Sequence, residues 1–105
     1  MQNKLIENTL LLDYYGDLLT KHQVDILNEY YNEDHSMSEI ATNIGISKAA
    51  VQDLIKRSIK QLQNYEKVLK LIQRDNELND VLDQMRSEKD KTIDKYIKKI
   101  EKLYK

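Results

Sequence analysis

The chain has 105 residues, 17 Lys and Arg against 18 Asp and Glu, a net charge of −1 and 40% apolar residues, with two glycines and neither proline nor cysteine. The missing cysteine excludes disulfides, thiolate metal sites and thiol nucleophiles, while so little turn chemistry argues against hairpins and for one modest all-α core. The N-terminal residues carry no signal-peptide pattern and no run approaches the roughly 20 apolar residues of a membrane span, so a cytoplasmic protein without membrane insertion is expected.

Residues 4–19 place Leu5, Ile6, Leu10, Leu11, Tyr14, Tyr15, Leu18 and Leu19 at helical spacing, with Gly16 tolerated inside the helix. Thr20-Lys21-His22-Gln23 is a capping box that starts a second helix through about Tyr31. Val24, one of Ile26 and Leu27, and one of Tyr30 and Tyr31 should face its core. Residues 32–35 form a loop. A second capping box, Ser36-Met37-Ser38-Glu39, starts a third helix near Met37.

Residues 37–57, MSEIATNIGISKAAVQDLIKR, place a small residue, a turn glycine and branched aliphatics where a helix-turn-helix needs them. Ala41 lets two crossing helices approach, and Gly45 takes the left-handed conformation that ends the first of them. Ile40, Ile44, Ile46, Val51 and Leu54 are expected to face inward. Ser47 caps the next helix, whose outward face carries Ser47, Lys48, Ala49, Ala50, Gln52, Asp53, Lys56 and Arg57, with Lys60 beyond. Such a face enters a major groove. Lys48, Lys56, Arg57 and Lys60 can neutralise phosphates and Gln52 can pair with adenine, whereas Asp53 repels phosphate unless it accepts from a cytosine amino group. Ala49 and Ala50 offer only methyl contacts, which argues against strong sequence readout. Equally, two amphipathic helices joined by a glycine turn are common in proteins that never touch DNA.

Nothing in the sequence stops this helix before about Arg74, because Val51, Ile55, Leu62, Tyr65, Leu69 and Ile72 recur along one seam in which Ser58 fills the missing position. Asp75 and Asn76 are caps for a short helix using Leu78, Val81, Leu82 and Met85. Ser87 and Asp90 precede another carrying Ile93, Ile97, Ile100 and Tyr104. The expected organisation is therefore a helical domain over 1–74 and a C-terminal extension over 75–105 that packs on it or on a partner chain. The surplus of apolar seam predicts a homodimer through the C-terminal half.

The small net charge hides a segregation. Residues 1–47 hold two lysines against eight acids, a net −6, whereas residues 48–74 hold seven cations against two acids, a net +5. The basic block begins at the proposed groove-facing helix. Residues 75–86 return to −3 and residues 87–105 to +3. A catalytic reading finds little support: His22 and His35 have no metal-ligand spacing, no nucleophile arrangement surrounds them, and no glycine-rich phosphate loop exists. The tyrosines fall on apolar periodicities and read as core. No enzyme activity, metal or cofactor is expected.

From Leu18 to about Leu62 the chain resembles region 4 of bacterial sigma factors, in Leu19-Thr20-Lys21-His22-Gln23, Tyr30-Tyr31, Ser38-Glu39-Ile40-Ala41, Gly45-Ile46-Ser47 and Val51. It departs at Ala49, Ala50 and Asp53, where sigma factors often carry reading residues, so promoter recognition does not transfer. Over its whole length it is similar to the YlxM family of small helix-turn-helix proteins, through Leu18-Leu19-Thr20, Gln23, Tyr30-Tyr31, Glu39-Ile40-Ala41, Ser47, Ala50-Val51, Ile55-Lys56-Arg57 and Tyr65-Glu66. That resemblance implies an all-α fold, DNA binding or regulation, and a role in the signal recognition particle pathway, the last through gene neighbourhood alone. Two functions stay open. One is a DNA-binding regulator on double-stranded DNA, favoured by the basic block; the other is a non-catalytic adaptor for protein or RNA components of the secretion machinery, favoured by Asp53 and the acidic front.

Overall fold

The computed structural model describes residues 2–104, in six helices with no strand among them: α1 (Gln2–Tyr15), α2 (Lys21–Tyr31), α3 (Met37–Ile44), α4 (Lys48–Leu69), α5 (Leu71–Ser87) and α6 (Lys91–Tyr104). The all-α expectation holds. The chain divides into two compact units, Met1–Lys70 and Leu71–Lys105.

In the first unit both capping boxes form. The Thr20 hydroxyl accepts from the Gln23 N–H at 3.2 Å and Gln23 Oε1 accepts from the Thr20 N–H at 3.0 Å; Ser36 and Glu39 repeat the exchange at 3.1 and 3.0 Å. Each box satisfies two N–H groups that a helix start otherwise leaves without partners. Gln23 has a further task. Its Nε2 donates to Ser58 Oγ at 3.0 Å and to Gln61 Oε1 at 3.2 Å, so the residue that caps α2 also ties it to α4. Ser58 is fully buried in the α4 seam, and this bond removes the cost of an unsatisfied hydroxyl there.

The core gathers Leu11, Leu12 and Tyr15 of α1, Ile26 and Leu27 of α2, Ile40 and Ala41 of α3, and Val51, Ile55, Ile59 and Leu62 of α4. Full burial of each such aliphatic contributes about 1.5–3 kcal/mol. Polar ties close the edges: Tyr15 donates its hydroxyl to Glu66 Oε1 at 2.5 Å, and Asn8 Nδ2 donates to the Tyr31 hydroxyl at 3.2 Å. Burial pushes the Tyr31 phenol above its ordinary value, partly opposed by that Asn8 bond.

Four expectations need correction. The first helix ends at Tyr15 and not at residue 19, because Gly16–Leu18 tightens into a 3₁₀ turn before the extended Leu19. Its apolar face is also only partly covered: Leu5, Ile6, Leu10, Tyr14 and Leu18 remain exposed. The long helix stops at Leu69, five residues short of Arg74, where Lys70 turns left-handed at φ 57°; Ile72 therefore belongs to α5 and to the second unit. That break also starts α5 at Leu71, ahead of the expected caps at Asp75 and Asn76.

In the second unit α5 and α6 pack as a helical pair with Leu82 and Ile97 buried. The Asp90 carboxylate accepts from the Thr92 N–H at 2.8 Å and so caps α6. Arg86 bridges the pair, contacting Asp83 and Glu101 at 2.7 Å each.

Candidate nucleic-acid interface

The motif is built by local chemistry. Gly45 sits at φ 82°, ψ 33°, and its N–H and that of Ile46 both reach the Ala41 carbonyl, at 2.9 and 3.1 Å. A side chain at this φ would carry steric strain. Ser47 then caps α4, accepting from the Ala50 N–H at 3.0 Å. Ala41 is 7% exposed and lets α3 lie close against α4. Ile40 and Val51 are fully buried and Leu54 is half-buried, but Ile44 and Ile46 are 38% and 36% exposed, against the inward placement expected for both. They lie at the turn, where the described helices cover only the side of α3 that carries Ile40 and Ala41.

Ser47, Lys48, Ala49, Ala50, Gln52, Asp53, Lys56, Arg57 and Lys60 are all exposed. Their surroundings divide them. Lys48 opens on a groove it shares with Asp34 and Glu39, so acids flank it. Lys56 and Lys60 line a different groove, shared with Gln52 and Gln63 of α4 and with Lys4 of α1, and no carboxylate lines it. Tyr31, Met37, Ile55 and Ile59 also line this groove. Lys4 and Gln63 escaped the sequence reading. Nothing near Lys4 in sequence marks it; only the packing of α1 along α4 brings it beside Lys56 and Lys60.

Asp53 is not a bare negative charge. Its carboxylate meets Arg57 Nε at 2.8 Å, an i,i+4 pair on the outer face of α4. The pair is exposed on both sides and contributes little stability, about 0.2–1 kcal/mol. It does, however, neutralise Asp53 where phosphate would approach, and it occupies one donor of Arg57.

The Ser36 N–H, then the Ser36 hydroxyl, hold the Glu39 carboxyl below its ordinary value, with His35 adding a smaller electrostatic pull. His35 itself reaches Glu29 Oε1 at 3.5 Å and Glu33 Oε2 at 3.9 Å through Nδ1. Glu29, Glu33 and His35 bring one ligand atom each within 4.8 Å of the others, a grouping that spacing between the two histidines did not reveal. The same contacts serve as a clasp on the loop between α2 and α3, where the His35 N–H also reaches the Glu29 carbonyl at 2.9 Å. No described helix is long and apolar enough to cross a membrane.

Residues 2–103 match the model of a family described as "UPF0122: Putative helix-turn-helix protein, YlxM / p13 like". A UPF0122 protein of Clostridium perfringens is 41% identical over 101 residues, covering 94% of this chain and 89% of the relative. One from Symbiobacterium thermophilum is 52% identical over 60 residues, 57% of this chain and 56% of the relative. One from Malacoplasma penetrans is 42% identical over 82 residues, 78% and 77% of the two chains.

Proposed function

The chain belongs to the UPF0122 family of YlxM/p13-like helix-turn-helix proteins, and from that membership we propose that it is a non-catalytic, cytoplasmic regulator that binds double-stranded DNA through α4. The observation that carries this reading is the groove lined by Lys4, Lys56 and Lys60 without a carboxylate, beside the exposed Gln52 and Arg57. Phosphate neutralisation supplies most sequence-independent affinity for a duplex. With Ala49 and Ala50 bare of hydrogen-bonding groups and Asp53 paired to Arg57, contact is directed at the backbone more than at bases. A place in the signal recognition particle pathway is part of the proposal and rests on the YlxM resemblance.

Duplex titration tests it. Lys56→Ala with Arg57→Ala removes two phosphate partners and weakens binding while the melting temperature holds, and parent binding falls steeply between about 50 and 200 mM salt. Ala41→Leu instead overpacks the α3–α4 crossing at a cost of roughly 1–3 kcal/mol and lowers stability and binding together. If the double variant binds as the parent does, and parent binding ignores salt, the motif is a scaffold and the adaptor reading replaces this one.

A homodimer completes the proposal, since paired half-sites need paired motifs. Of the expected surplus, Val51, Ile55, Ile59 and Leu62 of the α4 seam and Ile97 of α6 are buried, while Leu69 and Leu103 stay 49% and 88% exposed. A regular run of uncovered apolar surface also lies on α1, where Ile6, Leu10 and Tyr14 follow one another at four-residue intervals. We place the self-contact there. Sedimentation equilibrium at tens of micromolar should give a dimer for the parent and a monomer for Leu10→Glu; a parent monomer ends the idea.

A further inference from the structure

The second unit carries a charged surface that the α4 reading leaves unused. Lys91, Lys95, Lys98 and Lys102 recur at intervals of four, three and four along α6 and, with Lys99, occupy one exposed side of it. At 100° per residue the five fall within an arc of roughly 100°, over about 16 Å of helix. Among the described residues lining this surface the acid is Asp94, whereas Glu101 is engaged by Arg86. A surface that serves only solubility intersperses both signs. The exposed charges of α5 in the same unit are mostly acidic, Glu77, Asp80 and Asp83 with Arg74. Five lysines on one side of the next helix reverse that sign.

The apolar side of α6 decides what such a surface fits. A basic amphipathic helix that lies on a membrane must offer its apolar face to the lipid. Here Ile97 is 2% exposed, and Ile93 and Ile100 are half-buried in the pair with α5. Of the described apolar side chains of α6, Tyr96 and Leu103 stay exposed beside the lysines, at 54% and 88%; two residues fall short of a continuous apolar face, so the surface is chiefly electrostatic. Lys99 Nζ stands 5.4 Å from the centre of the Tyr96 ring, which restrains one cation of the row. Duplex DNA carries one negative charge per about 1.7 Å of axis, so lysines repeating every ~4.5–6 Å along a helix find phosphates in any sequence.

We propose that the Lys91, Lys95, Lys98, Lys99 and Lys102 face of α6 is a second duplex-DNA contact, gripping the phosphate backbone without reading bases. It requires nothing of the α4 face and adds phosphate contacts of its own.

The test uses the full chain and a mixed-sequence duplex of about 25 base pairs, titrated by fluorescence anisotropy between about 50 and 200 mM salt. Lys95→Gln, Lys98→Gln and Lys102→Gln together remove three charges while keeping a polar side chain and good helix propensity. This variant should retain its circular dichroism and melting temperature, lose about tenfold or more in affinity at low salt, and show a log–log salt slope shallower by about 2.7, three contacts at ~0.9 each. The triple Lys→Arg variant should bind as the parent does. Unchanged affinity and slope in the Gln variant overturn the proposal, as does a loss that Arg fails to restore. Sedimentation with vesicles containing phosphatidylserine, lost in the Gln variant while duplex binding persists, assigns the face to a membrane and also overturns it. Duplex RNA in place of DNA gives the remaining arm: a loss confined to RNA refutes the DNA assignment. Failure here is distinguishable from failure at α4, because Lys56→Ala with Arg57→Ala reports that face separately.

Discussion

The two units reach order by different means. In the first, four helices bury residues such as Ile26, Leu27, Ile40, Val51 and Leu62 to zero exposure, and Gln23–Ser58, Tyr15–Glu66 and Asn8–Tyr31 join elements far apart in sequence. In the second, Leu82 and Ile97 are the described apolar residues that reach full burial, and a half-buried bridge joins Arg86 to Glu101 across its helices. A unit with fewer buried residues has fewer contacts to break, so its local opening costs less. The lesson is that the motif is held by a many-sided core, while the lysine face of α6 belongs to a unit with far fewer buried side chains.

The largest expected effect tests this contrast. Leu62→Ala removes a fully buried side chain and should cost about 2–5 kcal/mol, read in urea unfolding, with duplex binding lost alongside. Ile97→Ala should fall at the low end, about 2 kcal/mol, because the open pair can relax into the space. Hydrogen exchange should then rise in α6 and stay unchanged in α2–α4. A uniform rise through all helices would break the comparison.

Next come the two left-handed residues that end helices of the first unit. Gly45 ends α3 at φ 82°, with no atom within 4 Å of where a Cβ would stand, so Gly45→Ala isolates backbone strain and should cost about 1 kcal/mol. Lys70 ends α4 at φ 57° and bears that strain already. Lys70→Gly should raise the melting temperature by the equivalent of a few tenths to about 1 kcal/mol. If both changes destabilise equally, the ends are not governed by the φ of their terminal residues.

The smallest effect concerns the capping box of α3. Glu39 has its carboxyl held below the ordinary value chiefly by the Ser36 N–H, so its contribution is present above the unfolded value of 4.5 and is lost as pH falls through the lower folded one. The parent should therefore melt slightly above Glu39→Gln at neutral pH, and the two should converge in acid. A gap that persists below that window would mean the carboxylate charge is not its source.

How much was legible from sequence follows the range of each interaction. Thr20 with Gln23, Ser36 with Glu39, Gly45 with Ala41 and Ser47 with Ala50 are contacts within one helical turn. Residue type and spacing therefore suffice to place α2, α3 and the start of α4, and the nine residues proposed for DNA contact could be picked as exposed from the sequence. The end of α4 could not: Lys70 bears no mark of a stop, since its left-handed turn is imposed where the chain leaves the first unit for α5. The exposure of Ile44 and Ile46 depends on what lies over the turn, and the place of Lys4 beside Lys56 and Lys60 depends on α1 packing along α4. The sequence by itself determined the helices, the turn and the caps, because those bonds close between near neighbours. Only tertiary structure decided which apolar side chains stay uncovered and which cations share a groove, because both depend on segments dozens of residues apart meeting to bury a common core.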